Sequence, residues 1–137
     1  MKLILNLEAE LFFQQGLRQN KAEKFTEAIA NFDKALRYKP DYPEALSQKG
    51  FAYGSLGYHI EAIACFDLTL KLRTDACWVW YNRAIALGKL ERHTEALNSF
   101  DRALEFNFNQ ALFGTIAVLP CATCPCIKRR LLALSGL

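Results

Sequence analysis

Two sets of residues in this chain have the types and spacing to carry chemistry. Cys121, Cys124 and Cys126 form a Cys-x-x-Cys-x-Cys cluster, whose thiolates would suit zinc or another soft metal. No fourth ligand stands nearby and no second cysteine pair completes the set. The cluster is therefore read as adventitious or redox-active thiols, and no cofactor is expected. His59 and His93 lie 34 residues apart, a spacing that could bridge a metal or form a pH switch. Phe25 holds the same place one period earlier and no carboxylate accompanies both histidines, so both are read as surface turn residues. Cys65 and Cys77 are read as small apolar fillers. The sequence has no glycine-rich phosphate loop, no His-Glu-x-x-His and no Gly-x-Ser-x-Gly, and neither histidine has a nucleophile at a recognisable spacing. No enzymatic activity is expected.

The 137 residues are 52% hydrophobic and 23% charged, the composition of a folded domain rather than a disordered chain. Seventeen basic residues against 14 acidic ones give a net charge of +3. Both signs are interspersed, which argues against a nucleic-acid surface. Five cysteines at uneven spacing argue against a secreted disulfide framework. The opening Met1 to Glu8 is too short in its apolar part for a secretion signal, and the apolar run from Ala111 to Leu119 is too short to span a bilayer. A cytoplasmic protein without stable membrane insertion is expected.

What positions these residues is a repeat. Thr26-Glu27-Ala28-Ile29-Ala30-Asn31-Phe32-Asp33-Lys34-Ala35-Leu36 recurs as Ile60 to Leu70 and again as Thr94 to Leu104, and a fixed period of this kind specifies a repeat architecture. Within each unit the apolar residues fall on two helical stripes, such as Leu46, Gly50, Tyr53 and then Ala62, Ile63, Phe66, Leu70. Gly54 to Tyr58 forms the break between them, with glycines suited to a tight turn. Each unit is thus a helix hairpin, and the units are 9–42, 43–76 and 77–110. Pro40 ends one helix, and Asp41 or Tyr42 is expected to cap the next, with Pro43 in its first turn. Thr74 and Asp75 offer capping oxygens one period later, and Asn107 to Gln110 marks the third junction. Gly16, Gly50 and Ala84 align in the first helices. Ala28, Ala62 and Ala96, followed by Phe32, Phe66 and Phe100, align in the second helices. The expectation is that each ring fills the space beside an alanine on a neighbouring helix.

The unit length, Trp80 early in a first helix, the Gly50 to Tyr53 spacing, the Ala-x-x-x-Phe steps and Pro40 together resemble the tetratricopeptide repeat. The resemblance spans residues 9–110 and no copy is complete. Phe12 and Leu46 stand for the tryptophan, Gln19 and Leu87 for the tyrosine, Ala84 for the glycine, and Thr69 for the second alanine. It implies an all-α protein, a right-handed α-solenoid of three stacked hairpins over 1–110, with an irregular or short-helical tail over 111–137. It also implies a concave surface lined by the first helices, which takes a partner peptide or helix. The groove residues it implies are Phe13, Leu17, Ser47, Phe51, Trp78, Tyr81, Asn82, Ile85 and Lys89.

Family members that hold the acidic C-terminal tails of chaperones do so with a clamp of Lys, Asn and Arg. The matching positions here are Phe13, Leu17, Gln48, Trp78 and Asn82, which offer no cation to a terminal carboxylate. A non-catalytic adaptor that binds an apolar peptide or amphipathic helix is expected, and a chaperone tail is not. The alternative is a regulatory or targeting fragment whose cysteine-rich tail, with Lys128-Arg129-Arg130, meets a metal or a membrane surface. Self-association through the apolar tail is a further expectation.

Overall fold

The computed structural model describes residues 2–112, and side chains over residues 2–106. Cys121, Cys124, Cys126, the basic triplet and the apolar run beyond Leu112 lie outside the described residues. Among those described, every element is a helix: α1 Lys2–Lys21, α2 Phe25–Tyr38, α3 Pro43–Ser55, α4 His59–Leu72, α5 Cys77–Lys89 and α6 His93–Leu112. None of these is long and apolar enough to cross a membrane. The helices pair in sequence as three hairpins. The first two form one compact unit, residues 1–74, and the third belongs to a second unit, residues 75–137.

Each hairpin turns in the same way. The residue just past the first helix has a left-handed backbone at Glu23 (φ 61°), Gly57 (φ 89°) and Glu91 (φ 61°), positions separated by the repeat period. The amides of Lys24, Tyr58 and Arg92 donate to the carbonyls of Gln19, Tyr53 and Leu87 at 2.8 to 2.9 Å. The amides of Glu23, Gly57 and Glu91 donate to Asn20, Gly54 and Gly88 at 3.0 to 3.1 Å. These paired bonds are a Schellman closure, which satisfies carbonyls that the end of a helix leaves without partners. Only the middle copy uses glycine for the left-handed residue, so the other two carry the steric cost of a side chain there.

The hairpins close on a ring. A methyl group at Gly16 would lie 2.5 Å from the ring of Phe32, and one at Gly50 would lie 2.7 Å from the ring of Phe66. Phe32 and Phe66 are essentially buried, at 0% and 2% exposure. The second-helix ring therefore occupies the side-chain space that glycine leaves on the first helix of the same hairpin, whereas the sequence suggested a space beside an alanine. The aligned alanines Ala28 and Ala62 are fully buried within the same packing. In the third hairpin Ala84 takes the glycine position, and Phe100 is partly exposed with its edge toward Tyr81, ring centres 6.1 Å apart.

Within the first unit the hairpins meet through α2 and α3. Lys49 on α3 pairs with Asp33 on α2 at 2.6 Å. Burial works against the lysine charge, but the hydrogen bond and charge of Asp33 outweigh it and hold the Lys49 pKa above its ordinary value. Tyr42 precedes α3, packs its ring 4.9 Å from Phe13, and donates its hydroxyl to Glu10 on α1 at 2.6 Å. The hydrogen bonds from Gln14 and from Tyr42 hold the Glu10 carboxyl below its usual pKa. Burial, followed by the neighbouring Glu10, pushes the Tyr42 hydroxyl well above the ordinary tyrosine value.

Three boundary readings change. Tyr42 caps α3 only through its backbone, and the residue at the cap of α5 is Ala76, just after Thr74 and Asp75. α6 runs through Asn107 to Gln110 without a break, because no proline or glycine stands there to stop it. At the other end, α1 begins at Lys2, seven residues ahead of the first repeat unit. Cys65 is free and buried, and burial raises its thiol pKa. Cys77 is buried but is not a free thiol.

Gly16→Ala is expected to lower stability by about 1–3 kcal/mol, since forcing a methyl against a buried ring outweighs the better helix propensity of alanine. Adding Phe32→Leu should make the glycine change less harmful than it is alone, as measured by a double-mutant cycle in urea. Glu91→Gly should instead raise stability by roughly 0.5–1 kcal/mol by relieving the left-handed residue. An unchanged or lower melting temperature would count against that reading. Because the folded pKa of Glu10 is depressed, its contribution is present above the unfolded carboxyl pKa and is lost as pH falls through the folded value. Glu10→Gln should therefore flatten the acid limb of the stability profile below about pH 4.5.

Candidate functional site

The residues able to meet a partner are those of the first helices that the hairpin packing leaves uncovered. On α1 and α3 the helical spacing of three and four keeps Phe13 and Asn20 on the side of Gly16 and Ser47 on the side of Gly50, while Leu17, Gln48, Phe51 and Ser55 fall on the flank and far side. Their environments differ. Phe13 is buried between Phe32, ring centres 6.0 Å apart, and Tyr42. Ser47 is buried as well, and its hydroxyl donates to the Glu44 carbonyl at 2.9 Å. These two expected groove residues thus lie within the packing of the first unit. Leu17 and Phe51 remain partly open. Phe51 meets the ring of Phe25 edge-on at 6.3 Å, which holds it in place while leaving part of its surface in water.

A pair of amides joins the two first helices. The Asn20 Nδ2 donates to both the backbone carbonyl and the side-chain Oε1 of Gln48, each at 3.3 Å. Asn20 is 8% exposed, and its Oδ1 has no hydrogen-bond partner among the described residues. Gln19 accepts a hydrogen bond from Asn31 on α2. The sequence sets both residues on first helices, Gln48 at one of the clamp positions, but does not reveal the bond that joins them. Lys49, next to Gln48 in sequence, is turned to Asp33 and lies over the Tyr53 ring at 5.7 Å.

In the second unit the first helix is α5. Trp78 is partly exposed. Asn82 donates to the Trp78 carbonyl at 2.8 Å along the helix. Ile85 and Lys89 are exposed. Tyr81, expected beside them, packs with Trp80 against Ala103 of α6 and meets Phe100. Arg83 donates to the buried Ser99 hydroxyl at 2.6 Å and sits 5.9 Å from the Trp80 ring centre. The expected residues therefore divide into a partly or fully open set (Leu17, Phe51, Trp78, Asn82, Ile85, Lys89) and a packed set (Phe13, Ser47, Tyr81). His59 and His93 open the second helices α4 and α6. Among the described residues no group of three His, Cys, Asp or Glu is placed to hold a metal ion.

Comparison with known proteins agrees with this architecture. Three sequence profiles match, one for a TPR repeat over residues 10–57 and two for the tetratricopeptide repeat over 43–75 and 77–110. No curated protein sequence matches the chain. A crystal structure of MamA superposes with a TM-score of 0.73 at 23% identity, over 76% of this chain and 61% of that one. The present chain thus spans about three-fifths of that MamA chain. A point mutant of MamA gives 0.68 at 28% identity over 72% of each chain. The first TPR of Spaghetti (RPAP3), bound to the HSP90 peptide SRMEEVD, gives 0.74 at 20% identity over 95% of each chain. At such identity the last likeness, like the first, concerns the fold alone. The repeat period, the all-helical hairpins, the recurring turn and the matching profiles lead to one conclusion: the chain belongs to the tetratricopeptide repeat family.

Proposed function

We propose that this chain is a non-catalytic protein-interaction scaffold whose first helices hold an apolar peptide or amphipathic helix of a partner protein. The observation that carries the reading is the character of the uncovered first-helix surface. In the first unit Leu17 and Phe51 are partly open on α1 and α3 with Gln48 between the two helices, and in the second unit Trp78 is partly open and Ile85 exposed on α5, with Asn82 and Lys89 on the same helix. Rigid aromatic side chains of this kind supply most of the energy at interfaces, because they bury large areas with little loss of rotamer freedom. Gln48 and Asn82 supply polar contacts that can orient a backbone without selecting charge.

An acidic chaperone tail suits this surface poorly. A terminal carboxylate needs a charge-assisted partner, and Phe13, Leu17, Gln48, Trp78 and Asn82 provide none. Lys49 does not replace the missing cation, since its ammonium is already engaged by Asp33. The neighbour bound to an HSP90 peptide therefore shares the hairpins with this chain without lending it that ligand.

Fluorescence anisotropy of the full chain with two labelled peptides tests the proposal. One is an acidic peptide ending in a free aspartate carboxylate, and the other an apolar amphipathic helix drawn from a peptide library. The amphipathic peptide should bind, and Phe51→Ala should weaken it by about tenfold or more while the melting curve stays cooperative. Binding of the acidic peptide that disappears when its carboxylate is amidated would overturn the proposal.

A further inference from the structure

The second helix of the middle repeat has a feature that groove binding does not use. On α4 the exposed residues Ile60 (68%), Ala64, Leu68 (48%) and Leu72 (43%) recur at every fourth position and form one apolar ridge along the helix. The other second helices do not share it. One period earlier the same places hold Thr26, Ala30, Lys34 and Tyr38, and one period later Thr94, Asn98, Arg102 and Phe106. Lys34 lies over the Phe12 ring at 5.5 Å, covering its own hairpin with a charged, solvated side chain. At the equivalent place on α4 the chain puts an uncharged leucine into water.

The ridge is its own complement when reversed. Counted from Phe66 at the centre of the helix, Ile60 and Leu72 stand six residues to either side, Ala64 and Leu68 two to either side, and Glu61 and Lys71 five to either side. Glu61 lies in the first turn and Lys71 in the last, and both are exposed. Two α4 helices laid antiparallel would therefore set the small Ala64 of each against the large Leu68 of the other, and Ile60 against Leu72. The acidic end of one helix would share an end of the seam with the basic end of its partner. A two-fold interface demands this self-complementarity, because one patch must fit itself. Opposed helix dipoles favour the same direction.

We propose that α4 is a homodimer interface, in which the Ile60–Leu72 ridge packs antiparallel against that of a second copy of this chain. The first helices are left free for a partner, so each dimer carries two binding surfaces. The patch is small, and the dimer it makes is weak and concentration-dependent. Its cohesion is apolar, and its direction is set by Glu61 and Lys71.

Sedimentation equilibrium of the full chain at low salt, from low to high micromolar concentration, tests the proposal. The weight-average mass should climb from the monomer value of 15.6 kDa toward twice that value. Leu68→Lys, which gives α4 the kind of residue α2 carries at Lys34, should keep the protein monomeric with an unchanged circular dichroism spectrum. Glu61→Lys should weaken the dimer, and Glu61→Lys combined with Lys71→Glu should restore it. A parallel pairing would show no such rescue. The proposal is overturned by a wild-type protein that stays monomeric throughout the range. It is equally overturned by a dimer that survives Leu68→Lys, or by one lost instead through Leu7→Lys on the exposed apolar side of α1.

Discussion

The contact on which the hairpins depend is a phenylalanine ring seated on a glycine. Phe32 lies where Gly16 has no side chain and Phe66 where Gly50 has none, with so little room that a single methyl group would overlap the ring. Bringing the two helices this close buries the ring completely and directs the apolar side of each helix inward, within one repeat. Every other assignment follows from that orientation. The flank of the first helix beside the glycine carries the partly open Leu17 and Phe51, and the far side of the second becomes the outer ridge seen on α4. Close-packed interiors transmit such constraints because they have no slack to absorb them.

The third hairpin shows what happens when the constraint is relaxed. With Ala84 at the glycine position the space for the ring is partly filled, and Phe100 is less buried than its two counterparts, turned edge-on to Tyr81. Tyr81 and Trp80 both pack on Ala103, so aromatic surface that the repeat pattern would send toward a partner serves the hairpin itself. Ser47 and Phe13, one and two periods earlier, are buried as well, so this repeat position serves its own hairpin whether or not a glycine seats the ring.

Much of this was legible in the sequence, and the exceptions have physical causes. The 34-residue period and the alternation of small and large residues were enough to read three helix hairpins and their approximate limits. The recurring left-handed turn was readable only at Gly57. At Glu23 and Glu91 the same geometry is imposed by the Schellman hydrogen bonds on a residue that does not advertise it. Phe13 reads as an open groove residue on its own helix, but Tyr42 arrives from the junction between hairpins and covers it. No pattern within one helix reveals a residue that comes from outside it. Leu17, Phe51 and Trp78 read as groove residues and stand partly open.

The account's central claim is that the glycine-seated ring divides each hairpin into a packed side and a first-helix side that meets the partner. Amide chemical-shift mapping of the full chain during titration with an apolar helical peptide tests this most directly. The predicted result is a set of shifts concentrated on α1, α3 and α5 around Leu17, Gln48, Phe51 and Trp78, with the amides next to Phe32 and Phe66 unmoved. Shifts concentrated on the second helices, with those first-helix residues silent, would contradict it.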